Sequence, residues 1–236
     1  MVEDQHGARR RVRSFVLRAG RMTTSQQRGL DQGWERWGVD CPAQRAPIDL
    51  DALFGGPGPR VLEIGFGMGQ SLLEMAGAAP DLQFIGVEVH RPGVGKLLAG
   101  MEARSIDNIR VFCHDAVEVL DNALAENSLE RINIYFPDPW HKKRHHKRRL
   151  IQPAFVDLLA SRLRSATGIL HLATDWQPYA EHMLEVMEAS AHFENCAGPA
   201  QYSPRPDERP RTKFEARGER LGHGVWDLLY RRRDTA

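Results

Sequence analysis

From about Arg60 the chain alternates short runs rich in β-branched and aromatic residues with runs whose apolar residues recur at helical spacing. That alternation specifies strands joined by crossover helices, and therefore an α/β fold with a mostly parallel sheet and helices on both faces. The strand-like runs are VLEIG (61–65), QFIGVEV (83–89), IRVFC (109–113), RINIYF (131–136) and GILHLATD (168–175). Between them the spacing predicts helices near Ser71–Ala79, after Pro92, around Val117–Leu124, after Pro153 and after Pro178. Each of these prolines stands where a first helical turn tolerates a missing N–H. The pattern then breaks. HFENC (192–196) and VWDLLYR (225–231) are joined by a Pro- and Arg-rich segment with no helix, which predicts an antiparallel addition at the sheet edge and seven strands in all.

Residues 1 to 45 carry no sustained period, so they are expected to form a flexible basic arm with a short helical piece around Gln27–Trp37, leaving residues 46–236 as the folded domain. The first residues lack the apolar core of a signal peptide, and no run approaches the ~20 apolar residues of a membrane span. Three scattered cysteines, Cys41, Cys113 and Cys196, fit neither a disulfide framework nor a metal knuckle, so a reduced, cytoplasmic setting is expected, with no metal. The formal net charge is only +1, but it conceals two basic clusters, Arg9–Arg13 and the block HKKRHHKRR at 141–149. Local basicity of this kind points to a polyanionic partner.

The turn Glu63-Ile-Gly-Phe-Gly-Met-Gly69 closes the first strand. Gly65, Gly67 and Gly69 let backbone amides approach a ligand, although a tight strand-to-helix connection would read the same way. Two further acids narrow the reading. Glu88 ends the second strand, where a carboxylate accepts ribose hydroxyls, and Asp115 follows the third, where it can receive an exocyclic amine. Dinucleotide turns read G-x-G-x-x-G and place a pyrophosphate on a helix N-terminus. Here the spacing is G-x-G-x-G behind a glutamate, which suits a sulfonium cofactor with an amino group, S-adenosylmethionine, better than a pyrophosphate.

The fourth strand runs into Phe136-Pro-Asp-Pro-Trp140 and then into the basic block. Two prolines fix the backbone around Asp138, and Trp140 is placed to stack or to wall a pocket; a rigid turn with a buried tryptophan is the plainer alternative. Solvation is the ordinary fate of a charge run such as 141–149, but its place beside the candidate site favours contacts to phosphates flanking a target nucleotide. Asp175 ends the fifth strand, either as a helix cap or as a substrate contact.

Together LEIGFGMG, GVEVHRPGVG, YFPDPWHKKRHHKRRL, LATDW and TKFEARGERLGH resemble the bacterial tRNA (guanine-N7)-methyltransferases, over about residues 14–232. The resemblance implies a Rossmann-like class I methyltransferase fold, S-adenosylmethionine as donor, tRNA as partner, and methylation of the variable-loop guanine at position 46 of tRNA. It implies that Glu63, Glu88, Asp115 and Asp138 bind the cofactor and that Asp138 is the active-site acid. Lys142, Asp175, Thr212, Lys213, Phe214 and Glu215 would bind substrate, and Arg144, His145, His146, Lys147, Arg148 and Arg149 would touch RNA. No obligatory protein partner is implied, and oligomeric state is not legible. The rival readings are methylation of another RNA base or of protein, an RNA-binding or chaperone module with an inactive cofactor fold, and, third, a nicotinamide oxidoreductase.

Overall fold

The computed structural model describes residues 14–15, 21–211, 215 and 224–234. Its seven-stranded sheet has the order β3-β2-β1-β4-β5-β7-β6. The strands are β1 (Arg60–Ile64), β2 (Gln83–Val87), β3 (Ile109–Phe112), β4 (Arg131–Tyr135), β5 (Ile169–Thr174), β6 (Phe193–Asn195) and β7 (Trp226–Arg232). The first five are parallel, and β7 pairs antiparallel with both β5 and β6, as the missing helix before it predicts. Strand order reverses between β1 and β4, so the crevice of this sheet opens above their carboxyl ends.

Alternation along the strands sorts the core into two layers. Leu62, Ile64, Ile85, Ile132, Ile134, Leu170 and Leu172 face α6 (Pro153–Arg162) and α7 (Gln177–Glu188), where Phe155, Leu159, Tyr179 and Met183 cover them. Val61, Phe84, Ile109 and Val111 face α3 (Gln70–Ala78) and α4 (Arg91–Arg104), against Leu72, Leu73, Leu97, Leu98 and Met101. On this second face Glu63, Asn133 and His171 stand in register across β1, β4 and β5, a polar row inside otherwise apolar strands.

One expectation about the amino-terminal part needs correcting. Helix α1 (Thr24–Trp37) is longer than the predicted piece, is closed by a Thr23/Gln26 capping box, and packs on α4 with Leu30 and Trp37 buried. The Trp37 indole N–H donates to Asp107 at 2.6 Å, and the chain continues with Val39 N–H on Val111 O and Ile48 N–H on Ala123 O. Residues 21–45 therefore belong to the folded domain and are no arm; residues 1–13 and 16–20 lie outside the described residues.

The physical reason is how the two helices meet. A Cβ on Gly29 would sit 2.2 Å from Gly95 O, and one on Gly95 would sit 2.1 Å from Gln26 O. Backbones in contact leave no room for the apolar stripe by which a packed helix is usually read. Gly95→Ala is accordingly expected to cost about 1–3 kcal/mol through overpacking, seen as a lower urea midpoint with an unchanged slope.

Smaller departures are local. Helix α2 (Leu50–Phe54), unforeseen, is capped by Asp49 and stopped by Gly55 at φ 78°. The helix expected at 117–124 is a single α-turn, α5 (Ala116–Glu118), continuing as a π-turn over Val119–Ala123. The basic block contains a 3-10 helix, Lys143–Arg148. No helix among the described residues is long and apolar enough to cross a membrane.

Candidate active site

The turn after β1 is built on left-handed backbone: φ is 76° at Gly65, 58° at Gly67 and 75° at Gly69. A Cβ at Gly65 or Gly67 would meet nothing within 4 Å, so these two positions face an open cradle, whereas one at Gly69 would strike Leu97 at 2.8 Å. Glu88 fixes the cradle's shape. One carboxylate oxygen accepts the Gly67 N–H at 2.8 Å and the other accepts the N–H groups of Val89 and His90. Helix α4 buttresses the turn so closely that a Cβ on Gly93 would lie 2.0 Å from Gly67 O.

Glu63 ends up 3% exposed, with Oε2 unpartnered among the described residues. Burial, and secondarily the charge of Glu88, push its carboxyl up to about 8, so it is held neutral at physiological pH. Its register neighbour Asn133 also has an unpartnered buried Oδ1. Two orphaned acceptors beside a glycine cradle suit a ligand bearing a cationic amino group, which is the chemistry of the methionine end of S-adenosylmethionine. Asp115, at the end of β3, caps α5 by accepting the Val117 N–H at 3.0 Å and lies on the same rim of the sheet as Glu88. A cavity of about 450 Å³ opens beside that end, lined by Leu30, Asp31, Trp34, Asp40, Arg91 and Cys113, so α1 walls this side of the site. The residues present fit the cofactor.

On the other side of the switch point, β4 delivers the loop Phe136–Trp140. Phe136 (φ 51°) and Trp140 (φ 47°) are both left-handed without being glycine, a strain of about 1–3 kcal/mol each that bracketing structure must hold. Asp138 is exposed between them. The Phe136 N–H donates to Ala173 O, and the Trp140 indole N–H donates to Ser14 O at 3.0 Å. Arg148 lies 4.3 Å over the Trp140 ring, with the His145 ring edge-on at 5.9 Å. Trp140 is thus held by Ser14, Arg148 and His145.

Arg149 departs from the RNA-contact expectation. It is 4% exposed, donates to Pro139 O and Pro178 O, and lies over the Tyr179 ring. It is a strut beneath the Asp138 loop, because a cation at the end of the 3-10 turn is the one that the fold rolls inward. Lys142, Lys143, Arg144 and Lys147 are exposed, while His145, His146 and Arg148 are half-buried. Asp175 is exposed and does not cap α7, whose cap position is Trp176, so the capping alternative falls away. Glu215 is 2% exposed and both its oxygens accept from Arg209; Thr212, Lys213 and Phe214 lie outside the described residues. Sequence reading missed Arg209, Asp227, His171 and Tyr135. A histidine in the apolar run GILHLAT was the one available signal.

The family model described as "Putative methyltransferase" matches residues 57–228. A tRNA (guanine-N(7)-)-methyltransferase of Alcanivorax borkumensis is 58% identical over 95% of this chain and 92% of its own length. That of Pseudomonas aeruginosa is 57% identical over 98% and 93%. Among solved structures, the 16S rRNA methyltransferase KamB superposes with a TM-score of 0.57 at 14% identity, covering 83% of this chain and 98% of that one. The antibiotic-resistance methyltransferase Kmr gives 0.54 at 18%, covering 80% and 93%. At such identities these two show the fold alone, a class I methyltransferase sheet. The chain belongs to the tRNA (guanine-N(7)-)-methyltransferase family.

Proposed function

We propose that this enzyme methylates N7 of the variable-loop guanine at position 46 of tRNA by direct in-line displacement, with S-adenosylmethionine as donor. The observation that supports this reading best is the Asp138 loop: an exposed carboxylate between two strained residues, following the strand paired with β1 and leading directly into a run of exposed cations. When bound, the cofactor supplies an electrophilic methyl on a sulfonium.

Guanine N7 has an in-plane lone pair and no proton, so the transfer needs no general base. Asp138 accepts the guanine N1–H and N2–H donors, turns N7 toward the methyl, and opposes the positive charge that develops on the ring. Glu63 and Asn133 would hold the donor's amino group, Glu88 its ribose hydroxyls and Asp115 its adenine amine. Lys142 and Asp175 border the base, and Lys143, Arg144 and Lys147 neutralise neighbouring phosphates. The enzyme works in the cytoplasm on its tRNA without an obligatory protein partner.

Unmodified tRNA transcripts carrying guanine or adenine at position 46 test this. Methyl transfer is expected to the first and not to the second. Equal labelling of both would place the acceptor elsewhere.

A further inference from the structure

Behind the acceptor side lies a buried chain of polar groups that the reaction as described does not use. Arg209 is 1% exposed and carries two bidentate carboxylate pairings. It donates to Asp227 at 2.8 and 2.9 Å, and to Glu215 at 2.8 and 2.7 Å. Asp227, on β7, also accepts from the His171 Nε2 at 2.7 Å, and the other ring nitrogen of His171 accepts the Tyr135 hydroxyl at 3.0 Å. Burial holds that imidazole below its ordinary pKa despite the Asp227 carboxylate, which fits a neutral ring donating on one side and accepting on the other. The guanidinium also stands 5.9 Å over the Tyr135 ring and 5.7 Å over the Phe136 ring, the latter the first strained residue of the Asp138 loop.

Desolvating three charges to make this cluster gains little for folding, since apolar residues of similar shape stabilise as well or better. What the cluster supplies is geometry. Each carboxylate faces a planar fork that accepts one orientation, so Glu215, β7, β5 and the root of the Asp138 loop are locked to one another. We infer that Arg209 is a positioning residue of the methyl transfer: it holds Glu215 and Phe136 in fixed relation, so that the acceptor side meets Asp138 in one geometry. Glu215 on this account serves the substrate through Arg209 and not by its own contact with the base. The inference rests on the tRNA-methylation reading above.

The test compares Arg209→Lys, Glu215→Gln and their combination in the full chain. The readouts are single-turnover methyl transfer at saturating tRNA, adenosylmethionine affinity by calorimetry, and melting temperature. Each single variant is expected to lower the transfer rate constant by about tenfold or more while the reacting fraction and the cofactor Kd hold within about twofold. The double variant is expected to be no slower than the worse single.

A rate constant unchanged in folded Arg209→Lys, with only melting temperature or reacting fraction reduced, would show a purely structural cluster and overturn the proposal. Additive losses would do the same, because Glu215 would then have its own contact with RNA. If Arg209→Lys does not fold, Glu215→Gln, which keeps shape and leaves the Arg209–Asp227 pair intact, carries the same rate prediction alone. Wild-type protein that transfers no methyl to tRNA removes the underlying reading as well; an active wild type with unperturbed variants removes this inference only.

Discussion

Asp138→Asn lowers the single-turnover rate of methyl transfer to tRNA by about 10²–10³-fold, the loss expected when a preorganised charge opposite a developing cation is removed. Asparagine keeps the size of the side chain but turns one acceptor oxygen into a donor, which then faces guanine N1–H or N2–H and repels it. Cofactor affinity moves by much less, because the cradle is built by Glu63, Glu88 and the glycine turn on the far side of the switch point. Rapid-quench kinetics alongside calorimetric titration separate the two effects. Turnover near that of the wild type would leave Asp138 without its assigned role.

Glu63→Gln is expected to act in opposite directions on stability and binding. The folded-state carboxyl of Glu63 is raised from its ordinary value of 4.5 to about 8, chiefly by burial and then by Glu88. For an acid raised on folding, the folded chain keeps a proton that the unfolded chain loses. Stability is therefore complete below about pH 4.5 and declines as pH rises toward 8. The decline amounts to roughly 3–5 kcal/mol at about 1.4 kcal/mol per pKa unit, an upper bound for a buried group. Glutamine has no proton to lose, so the variant's melting temperature should change less between pH 5 and 8 and lie above that of the wild type at pH 8. Adenosylmethionine binding should weaken by about tenfold or more, since the carboxyl can give up its proton when an ammonium binds beside it and an amide cannot. Parallel melting profiles for the two proteins would mean that Glu63 is already ionised in the fold.

What could be read from sequence was what local chemistry encodes. The runs 61–65, 83–89, 109–113, 131–136 and 168–175 match β1 to β5 to within two residues at either end, because apolar strands bounded by turns leave a signal within a few residues. Pro92, Pro153 and Pro178 mark helix starts for the same reason. Glu63, Glu88 and Asp115 were legible as a group because each follows from its position at a strand end. The rest depends on contacts between distant segments. Arg149 cannot be told from Arg144 in HKKRHHKRR until Pro139, Pro178 and Tyr179 surround it. Arg209 sits in a Pro- and Arg-rich connection that resembles a surface loop, and nothing near it announces Asp227, eighteen residues further on. Helix α1 was half seen: a short helical piece around Gln27–Trp37 was expected, but its packing was not, because glycine contributes no hydrophobic signal.

That last contact constrains how the chain can vary. Gly29 lies against Gly95 O and Ala99, Gly95 against Gln26 O, and Gly33 against Leu98, each within 3.0 Å of where a Cβ would go. Substitutions on the outward face of α1 can accumulate independently, but at positions 29 and 95 the facing atoms are backbone oxygens, so an enlarged residue there forces one helix to shift on the other. Because the same helix walls the cavity at the end of β3, such a shift would reach the side of the site proposed above to hold the adenine. A library randomising positions 29, 33, 95 and 99 together should return glycine at 29 and 95 in nearly all functional members, because the atoms they meet are backbone oxygens.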